Sequence, residues 1–254
     1  MMLQCFSELQ TMHAITDSLR KIIGLGYDKA WSMPSEFYTS SEFLALEKER
    51  LFRSQWVCVG RSHQVSQVGD YFTTELVGEP LIVVRTNDNQ VKILSNVCRH
   101  RGSVVVKGSG NTTSFVCPYH AWSYHVDGRL RRAPLIEARA DFDLARCRLP
   151  DFACEIWGGF IYVNLDNTAL PLTPQLTGLS DLIKHYHMDN MVELHSEESI
   201  WETNWKCLTE NFMEGYHLST IHNKTLHQIT PTRLCQHFRP EKVILVISLT
   251  FLKN

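Results

Sequence analysis

Two short Cys–His pairs constrain this chain more than any other feature. Cys98-Arg99-His100 and Cys117-Pro118-Tyr119-His120 are separated by sixteen residues. Each pair places a thiolate and an imidazole at the tip of a short loop, and two such tips facing each other make a four-donor site. A structural zinc would take all four donors on one tetrahedral ion. A [2Fe–2S] cluster of mixed ligation takes the two cysteines on one iron and the two histidines on the other. Each loop then gives one ligand to each iron. Zinc fingers place their two cysteines together and then their two histidines, so the interleaved order here favours the cluster over zinc. Neutral imidazoles in place of two thiolates raise the potential, which suits a centre that accepts an electron and passes it on.

The surroundings of these loops read as β structure. Val57, Val59, Tyr71, Phe72, the run Leu81 to Val84, Val91 and Ile93 fall in short β-rich stretches. Turn signals divide them at Gly69-Asp70, Gly78, Asn87-Asp88-Asn89, Gly108-Ser109-Gly110-Asn111 and Asp127-Gly128. The alternation continues to Gly158-Gly159 and Phe160 to Val163, predicting an antiparallel β domain over residues 50–165. Residues 1–49 read as two helices, one over 1–25 and one from Ser41 to Phe52, separated at Pro34. Residues 166–254 form a third region. It has a linker from Asn167 to Gly178, a helix from Asp181 to His187, a strand from Met191 to Glu202 and a strong helix from Trp205.

That last helix carries the second constellation. Over Asn204 to His217, Trp205, Leu208, Phe212 and Tyr216 form an apolar stripe, while Glu210, Glu214 and His217 line another side. By itself the second line reads as a solvated face. His222 follows five residues after His217 and falls off the same helical face, so the helix must end or distort near Ser219-Thr220 for both imidazoles to reach one metal. Two histidines, a carboxylate and open positions make the facial triad of non-haem Fe(II) oxygen chemistry.

Both constellations resemble one family. Cys98-Arg99-His100-Arg101-Gly102 and Cys117-Pro118-Tyr119-His120-Ala121-Trp122 look like the cluster loops of the Rieske oxygenases. Asn204-Trp205-Lys206, Glu210-Asn211 and Glu214-x-Tyr216-His217-x4-His222 look like the mononuclear-iron motif of their α subunits. The resemblance implies an α+β fold, an antiparallel β Rieske domain inserted in a helix-grip catalytic domain. It implies a [2Fe–2S] cluster on Cys98, His100, Cys117 and His120, and a mononuclear Fe(II) on His217 and His222. Glu214 takes the place of the catalytic bridging carboxylate, which in the family joins an iron ligand to a cluster histidine of a neighbouring subunit. A separate reductase, with or without a ferredoxin, would bring electrons from NAD(P)H, O2 would hydroxylate a small organic substrate, and the family assembles as a homo-oligomer, a trimer. Glu in place of Asp at position 214 resembles the members that oxidise carnitine or glycine betaine, with ring hydroxylation of an aromatic acid still open. A Rieske ferredoxin-like carrier is the rival reading, but it leaves the second motif idle.

The family's third iron ligand is a carboxylate on a helix far downstream. After His222 the one acidic residue is Glu241, in the turn-like Arg239-Pro240-Glu241-Lys242, and the apolar run from Val243 to Leu252 reads as a strand. The chain is thus expected to be a truncated form, with the cluster site whole and the second iron weakly held. Eight cysteines in 254 residues, without the features of a small secreted scaffold, predict thiols rather than disulfides. Cys5, Cys58, Cys147, Cys154, Cys207 and Cys235 read as apolar fillers. With 25 Lys plus Arg against 27 Asp plus Glu, nothing favours nucleic acid, and Arg129, Arg131 and Arg132 read as a solvated loop. The longest apolar run is half the roughly 20 residues a membrane helix needs. No basic stretch opens a signal peptide, so the expected location is cytoplasmic.

Overall fold

Four consecutive buried residues, Leu81, Ile82, Val83 and Val84, show how the β region is built. Side chains alternate across a strand, so a strand buried on both faces must be apolar at every position. Ile82 and Val84 face one core with Leu94, Phe115, Trp122, Tyr124, Val126 and Leu130. Leu81 and Val83 face a second with Ile93, Ile161, Val163 and Val65. Full burial of each such aliphatic side chain contributes about 1.5–3 kcal/mol.

The structure, a computed structural model, describes residues 14–25, 29, 31–136, 141–237 and 247–249. The chain divides into two compact units, Ala45–Leu194 and Met1–Leu44 with His195–Asn254. Among its described residues the first unit holds ten strands: β1 Val57–Arg61, β2 Asp70–Leu76, β3 Glu79–Arg85, β4 Val91–Ser95, β5 Ser109–Asn111, β6 Ser114–Val116, β7 Ser123–His125, β8 Leu130–Arg132, β9 Asp151–Trp157 and β10 Phe160–Asn164. A seven-stranded antiparallel sheet runs β1-β10-β9-β4-β3-β2-β5, and a three-stranded sheet runs β6-β7-β8. The β9–β10 hairpin turns at Gly158-Gly159, both at positive φ. A Cβ on Gly159 would also stand 2.9 Å from the Arg61 guanidinium.

The segment after β10 is tied to the sheet rather than free. The Glu155 carboxylate accepts the amides of Leu172 (2.8 Å) and Thr173 (3.0 Å) at the start of a short helix, Leu172–Gln175. Trp157 donates to Ser180 in the next helix, Thr177–Ile183. Arg61 donates to the carbonyls of Met188 (3.2 Å) and Met191 (2.9 Å). The stretch from Asn167 to Gly178 is therefore not a plain linker. The expected helix over Asp181 to His187 lies earlier, ending at Ile183 and passing into a tight turn, with His187 left-handed.

In the second unit residues 14–23 are helical, and Glu36–Thr39 and Trp205–Met213 are further helices. The first half of the expected helix over 1–25 lies outside the described residues. Ser41–Glu47 is helical and continues as a wider turn over Lys48–Phe52, as the pattern predicts. Cys235–His237 pairs antiparallel with Ile247–Leu249, and the rest of the run from Val243 to Leu252 lies outside the described residues.

Three expectations change here. The strand expected over Met191 to Glu202 has no ladder partner among the described residues; its apolar side chains Val192, Leu194 and Ile200 are exposed. The helix from Trp205 stops at Met213, before Glu214. Its apolar stripe is not a core stripe, since Phe212 and Tyr216 are exposed and its buried residue is Lys206. The Lys206 ammonium lies over the rings of Tyr38, Phe43 and Trp205 at 5.3–5.5 Å. Among the described residues no helix is long and apolar enough to cross a membrane.

Candidate metal centres

The two Cys–His loops use one backbone device twice. In the first, the Gly102 amide donates to the Cys98 carbonyl (3.0 Å) and the Cys98 amide to the Ser103 carbonyl (2.8 Å). In the second, Ala121 donates to Cys117 (3.0 Å) and Cys117 to Trp122 (2.8 Å). The residue four places after each cysteine is left-handed: Gly102 at φ 74° and Ala121 at φ 57°. Glycine takes that conformation freely, whereas alanine is strained in it. The second loop sits on the β6–β7 hairpin. The first is closed at its base by the Val97–Val104 bridge and held from below by Asn96. Buried Asn96 accepts the amides of Val105 (3.1 Å) and Val106 (3.0 Å) and donates to the Val106 carbonyl (2.8 Å).

The four predicted donors lie around one core cluster. Cys98 and Cys117 are buried in the same core cluster, and the rings of His100 and His120 meet at its rim, 4.6 Å apart and nearly perpendicular. Trp122 stacks on His100 at 4.9 Å, 9° from parallel. His100 Nδ1 is buried without a hydrogen-bond partner. A buried polar atom left bare costs free energy unless something binds it, and a metal at Nδ1 would satisfy it. Burial, and then the neighbouring His120 and Arg101, hold the pKa of His100 below its ordinary value, which keeps the ring in the neutral form that ligates. Among the described residues no three His, Cys, Asp or Glu side chains converge on one point. Each loop carries one cysteine and one histidine, which allows each loop to give one ligand to each of two irons. The residues present thus fit a [2Fe–2S] group.

Tyr124, which the sequence reading missed, belongs to this centre. Its hydroxyl lies 3.3 Å from Cys98 Sγ and accepts the Arg99 amide at 3.1 Å. Full burial, with the Cys98 contact, drives its pKa well above the ordinary tyrosine value, so the proton stays available for donation to sulfur. Of the other cysteines, Cys147 and Cys154 pack beside the cores as expected, but Cys58 and Cys207 are exposed. Cys5 lies outside the described residues.

The second centre forms just past a helix end. Glu214 is extended (φ −104°, ψ 146°) and caps the helix as its last flanking residue. Its carboxylate accepts the amides of Tyr216 and, at 3.3 Å, His217, and takes the His217 Nδ1 as well. Burial pushes the Glu214 pKa up, but these hydrogen bonds outweigh it and leave it below the ordinary value. The carboxylate is therefore ionised and turned onto its own chain. Glu210, Glu214 and His217 do not share one helical line. The chain breaks from the helix well before the expected point at Ser219-Thr220, because the Glu214 side chain takes the amides a continuing helix would have used. The turn brings the His217 and His222 rings to 5.3 Å. Glu210 instead accepts the Tyr38 hydroxyl on both oxygens, at 2.8 and 3.0 Å. Among the described residues no carboxylate joins the two histidines as a third donor, and Glu241 lies outside the described residues.

A Rieske [2Fe–2S] domain is matched over residues 55–151, and the catalytic domain of ring-hydroxylating α subunits over residues 185–243. The chain thus carries a Rieske domain together with part of an oxygenase catalytic domain. Both are domains of the Rieske non-haem iron oxygenase α subunits, and the antiparallel Rieske domain with a helical catalytic part has the α+β fold of those proteins. The carnitine monooxygenase oxygenase subunit of Escherichia coli K12 is 33% identical over 201 residues, 76% of this chain and 53% of the relative. The glycine betaine monooxygenase oxygenase subunit of Chromohalobacter salexigens is 34% identical over 199 residues, 78% of this chain and 44% of the relative. A crystal structure of the quaternary ammonium Rieske monooxygenase CntA superposes with a TM-score of 0.78 at 29% identity, covering 84% of this chain and 60% of that one. The chain spans about half the length of the curated relatives it matches. These domains imply a Rieske cluster and a mononuclear iron.

Proposed function

We propose that the protein is the oxygenase component of a Rieske monooxygenase that hydroxylates a quaternary ammonium compound beside its charged nitrogen. The [2Fe–2S] cluster would be held by Cys98, His100, Cys117 and His120, and the mononuclear iron by His217 and His222. The observation that carries this reading is the Glu214–His217–His222 turn in a chain that also has two matched Cys–His loops. When bound, the cluster stores an electron and the second iron supplies the site for O2.

The chain's own residues prepare both sites. Trp122 covers one face of His100 and keeps water from it. With Cys98 ligating as a thiolate, the Tyr124 hydroxyl 3.3 Å from Sγ would donate to it and so favour the added negative charge of reduction. Glu214 holds the proton on Nδ1 of His217, which keeps the Nε2 lone pair free for a metal and raises its basicity. Glu214 is also the bridging carboxylate toward a cluster histidine of a neighbouring subunit, which requires a homo-oligomer. The overall reaction takes O2, two electrons and two protons with one C–H bond and yields an alcohol and water. The electrons come from NAD(P)H through a separate reductase, and the thiol and thiolate chemistry suits the cytoplasm.

The relatives named for carnitine and glycine betaine support the substrate class. The test supplies the purified protein with a reductase, NADH and excess Fe(II), and offers carnitine, glycine betaine, choline and an aromatic acid. Oxygen-dependent product from the quaternary compounds alone is expected. Product from the aromatic acid alone overturns the substrate class, and no product from any overturns the oxygenase reading.

A further inference from the structure

The turn between His217 and His222 is gripped by two hydroxyls that face each other. Thr232 Oγ1 donates to the Gly215 carbonyl at 2.9 Å, with the Tyr216 carbonyl at 3.1 Å, and accepts the Ser219 amide at 3.0 Å. Ser219 Oγ in return accepts the Thr232 amide at 2.9 Å. The same Oγ lies 2.9 Å from His227 Nδ1, and the His227 amide donates to the His222 carbonyl at 3.0 Å. The His217 carbonyl meanwhile takes the amides of Thr220 (3.0 Å) and Ile221 (2.8 Å).

These bonds replace what the helix would have supplied. Once the helix stops at Met213, the Tyr216 carbonyl and the Ser219 amide have no helical partners, and the Gly215 carbonyl takes the Leu218 amide at 3.3 Å. The Thr232 hydroxyl accepts the Ser219 amide and shares its one proton between the two carbonyls, and one serine side chain ties that threonine's backbone down. The clamp joins both ends of the turn, since Gly215 and Tyr216 precede His217 and His227 holds the carbonyl of His222. Without it, the turn would keep its backbone bonds to the His217 carbonyl but lose its side-chain anchor to the segment at Thr232.

We propose that Thr232 and Ser219, steadied by His227, are positioning residues that set the spacing of the His217 and His222 imidazoles and so the affinity of the pair for a divalent metal. This rests on the mononuclear-iron reading above. The groups that orient ligands typically carry about 10- to 100-fold in metal affinity, and the clamp is expected to act in that range.

The test is equilibrium dialysis of the cluster-bearing protein against Co2+, with His217→Ala as the measure of binding elsewhere. Thr232→Val keeps the shape and loses the hydroxyl, Thr232→Ser keeps the hydroxyl, and Ser219→Ala removes the other half of the clamp. Thr232→Val and Ser219→Ala are expected to lose affinity about 10-fold or more, while Thr232→Ser retains it. The visible absorbance of the cluster, held in the other unit, should be unchanged in all. Wild-type affinity in both Thr232→Val and Ser219→Ala overturns the clamp alone. Equal losses in Thr232→Ser and Thr232→Val also overturn it, because side-chain volume and not the hydroxyl would then matter. A wild-type protein that binds no more Co2+ than His217→Ala overturns the iron reading, and this inference with it.

Discussion

Replacing Tyr124 by Phe removes one oxygen from a fully buried ring and should lower the reduction potential of the cluster. The hydroxyl is 3.3 Å from Cys98 Sγ, and the Arg99 amide donating into it from behind polarises its proton toward the sulfur. A hydrogen bond to a charged group contributes about 1.5–3 kcal/mol. Reduction adds one electron to a cluster already shared among two thiolates, so the oxidised and reduced forms differ in this term by only a part of it, roughly 1 kcal/mol. With 59 mV per tenfold change for one electron, that part is about 40 mV. The shift must be downward, because the bond favours the more negative state. Phe fits the space that Tyr fills, so the core of Ile82, Leu94 and Phe115 should hold. An EPR-monitored redox titration of both proteins measures the difference. A potential that stays the same or rises in Tyr124→Phe refutes the assignment of the proton to Cys98 Sγ.

Other perturbations read other parts of the molecule. Ala121→Gly relieves a left-handed alanine, roughly 1–2 kcal/mol, against about 0.5–1 kcal/mol of extra chain entropy. The melting temperature should therefore rise by about 1–3 °C, and a fall would show that the Ala121 methyl packs usefully. Glu155, whose burial is outweighed by hydrogen bonds from Leu172 and Thr173, has a folded pKa below its ordinary 4.5. The stability it lends is whole above that value and is lost as pH falls through the folded pKa. Amide exchange at Leu172 and Thr173 should speed up in acid, and at pH 7 in Glu155→Ala; unchanged exchange in the variant would remove Glu155 as the cap. Without added Fe(II), two irons should survive dialysis and the third should leave, because two neutral imidazoles do not compensate a 2+ charge. Reduction of the cluster should then proceed without coupled product. Three retained irons with product stoichiometric to reductant would require a further ligand.

The two Cys–His loops were legible because their chemistry is written in residue type at short range. A cysteine and a histidine on one loop tip need only a local turn to point together, and β3 was legible for the similar reason that four apolar residues in a row suit a two-sided core. The helix from Trp205 misled at its end. Glu210, Glu214 and His217 have helical spacing, but periodicity does not register that the Glu214 carboxylate captures the amides of Tyr216 and His217. The stripe of Leu208, Phe212 and Tyr216 misled similarly, since spacing alone does not show what lies opposite, and Lys206 is the residue that the helix buries. Tyr124 carried a faint signal, four residues after His120 in a strand beside the loop. Thr232 carried none, because it meets Ser219 across thirteen positions and only folding brings them together. Asn96 is between these cases, a polar residue two before Cys98 whose burial shows only in three dimensions.

Nitrogen ENDOR on the reduced protein tests the central claim most directly, that Cys98, His100, Cys117 and His120 hold one [2Fe–2S] cluster with both imidazoles on one iron. Two strongly coupled histidine nitrogens are expected in the wild type. His100→Cys and His120→Cys should each leave one and shift the EPR signal. Nitrogen couplings that persist unchanged in both variants would contradict the account, and so would a colourless protein that contains zinc in place of iron.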